Sequence, residues 1–416
     1  MSSRMKREAI VKCCMLAGCV AALLLLGRAA RADAVVERNR EAGTIMAAAK
    51  LPASAQARAF AALQTAVYDA ANAISARYPA GDRKMGASPG ASLEAAVAAA
   101  NHATLQKIVP SQQASIDAAY QAALATIADG PAKSGGIAVG EKAATAILAL
   151  CAQDGYDAPD VYRPSTTPGI YVPTSTPAAV QWPKRKPWLM TRPDQFRPGP
   201  PPPLTSELWA RDYNEIKAIG GKTSSRRTAE QTEIARFWEA RDPPLYYGIV
   251  QAVANLPGRD ATQNARLYAA VAQAMDDAFI AVFDAKYAYS FWRPVTAIRN
   301  GDTDGNDATE RDPAWAPFIE TPMHPEYPCA HCIQAATVGT VLQAEIGAGP
   351  TPLLSTTSPT ANGATRTWTK VDDFVQEVAV ARIYDGVHYR NSTQVAIAMG
   401  KQIGALAVAK VLRRPR

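Results

Sequence analysis

The sequence predicts an all-α protein. Ala-rich runs place apolar residues at three- and four-residue spacing, Ser and Thr residues suited to capping stand at several helix starts, and no run of any length alternates as a strand does. With 416 residues, 48% of them hydrophobic and 19% charged, the chain is ordinary globular material, long enough for one large core or two packed halves.

Residues 1–34 read as a signal peptide: a basic stretch to Lys12, an apolar run of 15 residues over Cys13–Gly27, and small-x-small cleavage sites at Ala30-Arg31-Ala32 and Ala32-Asp33-Ala34. The run is short for a membrane span, and no later stretch approaches ~20 unbroken apolar residues. The expectation is therefore a periplasmic or secreted protein with no stable membrane insertion after processing. The segment holds Arg4, Lys6, Arg7, Lys12, Arg28 and Arg31, so most of the formal charge of +7 leaves with it. Nucleic acid is not indicated as a partner.

Residues 35–154 form an N-terminal helical part, with runs at 55–78, 91–127 and 136–152 and Ser92 as a candidate cap. Residues 155–204 break the pattern. They hold about a dozen of the 31 Pro, ending in Pro-Gly-Pro-Pro-Pro-Pro at 198–203, yet carry Tyr162, Tyr171, Trp182, Trp188 and Phe196. A free linker is poor in aromatics, so this segment is expected to lie irregularly across the helices as part of a pocket wall. Helical signals return over 205–416: a start at Thr205-Ser206-Glu207, a helix over 224–240 with Thr228 as cap, a long amphipathic helix within 259–289, a loop at 300–329, then helices over 330–347, 369–384 and 391–412. Asp302-Thr-Asp304-Gly-Asn-Asp307 has its Gly and its twelfth position wrong for a calcium loop and reads as a solvated turn.

Chemistry concentrates in the last third. Lys286 and Arg293 stand seven apart, two turns along one helix face. Pro328-Cys329-Ala330-His331 opens a helix, whose N-terminus presents free N–H groups and the positive end of its dipole to an anion. Arg382 and His388 follow, with Gly386 allowing a bend between them. One Lys, two Arg, two His and a helix N-terminus suit a compact tetrahedral oxyanion: Arg binds its oxygens in bidentate fashion, one His attacks or ligates the central atom, and the other handles a proton opposite.

Lys-x6-Arg-Pro, Pro-Ser-Gly-His and Ser-Arg-x5-His form the signature of the superfamily joining vanadium-dependent haloperoxidases, type 2 phosphatidic acid phosphatases and bacterial acid phosphatases. This chain resembles it in order and spacing through Lys286…Arg293-Pro294, Pro328…His331 and Arg382…His388. FWRPVTAIRNGDTDGN (291–306), HPEYP (324–328), DYNEIKAIGG (212–221) and TAEQTEIARFW (228–238) resemble the bacterial haloperoxidase branch, so the likeness covers about 205–412. The resemblance implies a helical bundle, often two related four-helix sets. It implies that Lys286, Arg293 and Arg382 hold the oxygens of vanadate, with Cys329 and Ala330 contributing at the helix start. His388 would ligate vanadium, and His331 would be the acid-base residue. The implied reaction is halide oxidation by hydrogen peroxide with halogenation of a small organic acceptor. The alternative is a soluble acid phosphatase with no cofactor, phosphate as substrate and His388 as nucleophile. His324 occupies a position that tends to be Phe in chloride-oxidising members and His in bromide-oxidising ones, which points to bromide or iodide. A homo-oligomer is compatible with this reading.

The chain departs from the signature at Cys329, Ala330 and Ala381, and at Ser392, where the family often has an Asp that orients the last His. Cys329-Ala-His-Cys332 also has the form of a thiol redox motif. Without a βαβ context it reads as a local disulfide or two buried thiols.

Overall fold

The computed structural model describes residues 33–79, 83 and 85–412. The expected signal segment lies outside the described residues, apart from Asp33 and Ala34. The first half comprises α1 (Ala34–Ala48), α2 (Ala53–Ser75), α3 (Leu93–Ile108), α4 (Gln113–Ala125) and α5 (Pro131–Cys151). The second comprises α6 (Glu207–Ile219), α7 (Ala229–Trp238), α8 (Pro244–Ala254), α9 (Ala261–Tyr289), α10 (Pro294–Arg299), α11 (Ala330–Ile346), α12 (Val371–Tyr384) and α13 (Arg390–Lys410).

The caps explain where several of these helices begin. Ser92 and Ser206 each accept the N–H three residues on, while Thr228/Gln231 and Asp260/Gln263 form reciprocal capping boxes. The single helix expected over 91–127 is two, α3 and α4. Pro110 disfavours helical backbone at Val109 (φ −128°, ψ 54°) and has no N–H to continue the ladder. A second difference is a hairpin within the all-α fold. Strand β1 (Leu354–Ser358) pairs antiparallel with β2 (Ala364–Trp368), and Asn362 and Gly363 take the left-handed conformation at the turn. The expected solvated turn at 302–307 is also corrected. Asp304 is buried, accepting Trp209 Nε1 at 2.7 Å and the Thr309 hydroxyl, so it ties the loop to α6.

Helix α9 is the hub. Buried along most of its 29 residues, it packs against α2 on one side and against α11 and α13 on the other, so both halves share it. Helix α5 is long and apolar enough to cross a membrane by length and composition alone. It lies along α3 at very short range: a Cβ on Gly136 or Gly140 would sit 2.3 Å from the carbonyl oxygen of Ser92 or Ala96.

The proline-rich segment runs over α9 without an α-helix of its own, and three aspartates of α9 hold it. Asp276 binds Arg185 bidentately (2.6 and 2.9 Å), Asp277 accepts the N–H groups of Trp188, Leu189 and Met190, and Asp284 pairs with Arg197. Further upstream the segment pairs with the start of the 290s loop, where Trp292 N–H donates to Gly169 O. The loop bearing Arg293 is thus fixed from outside as well as by its own helix.

Candidate active site

Lys286 lies in the last turn of α9, and Ser290, in the left-handed conformation, ends that helix. Arg293 is the N-cap residue of α10, where Pro294 takes the first helical position. His324 and Glu326 come from the long loop before α11, Cys329 is the N-cap of α11, and Ala330 and His331 form its first turn. Arg382 lies in the last turn of α12, and His388 lies in the bend between α12 and α13. An aromatic cluster clamps the two loops together: Trp209 stacks on Trp292 (5.8 Å) and meets Tyr389 edge-on (4.9 Å), the neighbours of Arg293 and His388.

The bend needs Gly386. Its φ is +77°, and a Cβ there would sit 2.2 Å from Gly220 O. Gly386→Ala is expected to destabilise the protein by roughly 2–4 kcal/mol through left-handed strain plus overpacking against that carbonyl. Thermal unfolding checks this, and His388-dependent activity should fall with it.

The residues singled out in the sequence converge. Arg293 Nη1 lies 3.3 Å from His388 Nε2, its Nη2 2.9 Å from His324 Nδ1, and its Nε donates to His324 O. Lys286 Nζ donates to the carbonyls of Pro325 and Glu326 at 2.8 and 2.7 Å, which uses two of its three protons. Arg382 pairs with the buried carboxylate of Asp385 (2.6 Å) and donates to Trp238 O. Its Nε is buried without a hydrogen-bond partner among the described residues. Arg382, His388, His331, His324 and Ala330 line one cleft of about 490 Å³, whose other walls include Phe279, Phe283 and Tyr246. Lys286 and Arg293 form the layer behind that wall. Arg293 also reaches a second cleft of about 550 Å³ bounded by Tyr171 and Lys222.

Glu326 went unnoticed in the sequence. Fully buried, it accepts His388 Nδ1–H at 2.8 Å and Tyr389 N–H at 3.0 Å, and so supplies the carboxylate that Ser392 does not. A Glu two residues before a proline gives no signal of its own; its proximity to His388 arises only when the loop folds against α13.

The partners fix the imidazole tautomers. Arg293 can only donate, so His388 Nε2 is the acceptor and Nδ1 carries the proton. His331 Nε2 faces the carbonyl of Ala240 at 3.2 Å, so that nitrogen carries the proton and Nδ1 keeps its lone pair.

Burial dominates the electrostatics. It pushes the Lys286 ammonium well below its ordinary value, with Arg293 and Arg382 adding to the effect and Glu326 opposing it. Burial also lowers Arg293 to about 10 and holds His324, His331 and His388 well below the usual imidazole range, in each case aided by nearby cations. It pushes Glu326 up to about 7 against the pull of Lys286 and Arg293. Desolvated cations gathered this closely repel one another, and a bound oxyanion relieves that repulsion. The donor set fits a tetrahedral oxyanion whose central atom accepts a nitrogen lone pair: cationic donors surround an imidazole whose Nε2 lone pair faces Arg293, and Arg382 Nε has no hydrogen-bond partner among the described residues.

Cys329 and Cys332 form a disulfide, so Cys329 has no S–H to donate. The contribution of this turn to an anion reduces to backbone N–H groups and His331.

Residues 266–415 match the family model for the VCPO second helical-bundle domain. Among solved structures the chain is similar to one described as the first bacterial vanadium-dependent iodoperoxidase, with 23% identity, a TM-score of 0.76, and coverage of 91% of this chain and 95% of that one. It is also similar to a bacterial vanadium-dependent chloroperoxidase in its apo and holo forms. Identity is 17% and TM-score 0.72 for both, over 87% and 88% of this chain and 93% of that one. At these identities the likeness establishes a shared fold. Comparison with curated protein sequences returns no match.

Proposed function

We propose that the chain is a member of the vanadium haloperoxidase superfamily and works as an exported vanadium-dependent haloperoxidase, oxidising halide, with bromide preferred, by means of hydrogen peroxide; the match of residues 266–415 to the VCPO second helical-bundle domain and the shared fold support this reading. One observation carries the reading: a neutral His388, proton on Nδ1 and lone pair on Nε2, stands among buried cations at the base of a cleft.

Vanadate, when bound, supplies the Lewis-acid centre that activates peroxide toward halide. His388 Nε2 would hold it, with Arg293, Arg382 and Lys286 neutralising its oxygens. Glu326 keeps the His388 proton on Nδ1 and so keeps the lone pair on Nε2, where ligation would replace the hydrogen bond from Arg293. His331, with Nδ1 unprotonated and Nε2 anchored on Ala240, accepts and returns protons at the cleft. His324 lies edge-on against Phe283 at 5.2 Å on the cleft wall, where it would act on halide selection, and Phe279 and Phe283 offer an apolar surface to an organic acceptor.

Glu326→Gln should keep the fold but weaken vanadate binding by about 10–100-fold, since an amide cannot select the tautomer as a carboxylate does. Vanadate titration against the wild type measures this. The proposed activity is tested by assaying orthovanadate-loaded protein with peroxide and chloride, bromide or iodide, beside a phosphate-ester assay of vanadate-free protein. Bromide oxidation without ester hydrolysis supports the reading. Ester hydrolysis without halide oxidation overturns it in favour of the phosphatase.

A further inference from the structure

The Cys329–Cys332 bridge spans the first turn of α11 with Cα atoms 5.4 Å apart. Both cysteines are fully buried in the core, whereas the two residues between them, Ala330 and His331, line the cleft. The bridge is tied into the site from three directions. Cys329 Sγ accepts Cys332 N–H at 3.3 Å, Cys329 N–H donates to Ser392 O in the first turn of α13 (3.4 Å), and Tyr246 donates to His331 O (3.3 Å). Glu326, which holds His388, stands three residues upstream. The ring closed by the disulfide therefore contains the first-turn N–H groups that have no acceptor within α11, together with the acid-base imidazole.

We infer that the Cys329–Cys332 disulfide is a positioning clasp for the anion site, so that affinity for a tetrahedral oxyanion depends on the oxidation state of this pair. The inference rests on the reading of the cleft as an oxyanion site. With the bridge closed, the two N–H groups and His331 share one fixed geometry. With it open, Cys329 is a buried thiol at the N-cap, a weak acceptor where Ser or Thr would serve, and the first turn is held less firmly.

Hydrogen peroxide, the oxidant of the proposed reaction, closes the clasp. One thiolate attacks a peroxide oxygen, the O–O bond breaks, and hydroxide leaves to be protonated to water, giving a sulfenic acid. The second thiol attacks that sulfur, the S–S bond forms, and a second water leaves. Two thiols are oxidised and one peroxide is reduced to two waters. Opening requires a dithiol or phosphine reductant that returns the two electrons.

The test measures binding of orthovanadate and of inorganic phosphate by calorimetry, without turnover, to wild-type protein as oxidised, to the same protein after phosphine reduction, and to Cys332→Ser. The mass of the peptide spanning 329–332 reports the state of the pair, and thermal unfolding monitors the fold. Reduction and Cys332→Ser should each weaken both anions by roughly tenfold, the scale of a misplaced charge-assisted hydrogen bond, and peroxide should restore the reduced wild type but not the variant. Should the variant not fold, or the buried bridge resist the phosphine, the remaining arm carries the comparison. Affinities equal within twofold in a protein shown to be reduced, or in folded Cys332→Ser, would overturn the inference and leave a disulfide that serves stability alone. Absence of anion binding to the oxidised wild type would overturn the oxyanion reading itself, and this inference with it.

Discussion

His388→Ala is expected to abolish vanadate binding and halide oxidation together. His388 Nε2 is the nitrogen lone pair that faces Arg293 at the cleft, and Glu326 holds its tautomer from behind. Alanine would remove the proposed covalent link while leaving the cations, so weak electrostatic retention of an oxyanion is the most that should remain. The variant also leaves Glu326, in a fully buried position, with Tyr389 N–H but without its imidazole partner, a loss that costs stability. Circular dichroism and thermal unfolding would separate lost folding from lost ligation. A folded variant with no vanadium and no bromide oxidation is the predicted result; full activity of His388→Ala, with halide or with a phosphate ester, contradicts both readings of the site.

His331→Ala is expected to split the two properties. Its ring lines the cleft while its Nε2 faces Ala240 O, so under the proposed function it would exchange protons through Nδ1 rather than ligate. Vanadate content should stay close to the wild type, while turnover falls on the order of 10²–10⁴, the range that a positioned acid-base group supplies. Equilibrium dialysis alongside bromide oxidation kinetics measures both. Parallel loss of vanadate and activity would move His331 from proton transfer to cofactor retention.

The helical class and most helix positions were legible because apolar periodicity and capping residues are local signals. The 259–289 run became α9 and the 369–384 run became α12, each within two residues of the expected start. What escaped reading had non-local or single-residue causes. Pro110 split one expected helix, and the hairpin at 354–368 rests on short Thr-rich strands joined by Asn362-Gly363, too brief for a period to register. In the site, the type and spacing of Lys286, Arg293, His331, Arg382 and His388 point to an anion from the sequence alone. Glu326 could not be found that way, because its link to His388 spans 62 residues and depends on how a proline-rich loop folds back on α13. The same holds for Asp276, Asp277 and Asp284, ordinary acids in the sequence that together fasten the proline-rich segment to the helix bearing Lys286.

The central claim is that His388 anchors a vanadate whose oxygens meet Arg293, Arg382 and Lys286. A crystal structure of the protein grown with orthovanadate tests it most directly. The expected result is density for vanadate joined to Nε2 of His388, with Nδ1 still on Glu326 and the three cations around the oxygens. Density bound elsewhere, or a His388 ring with Nε2 free beside an occupied anion site, would contradict it.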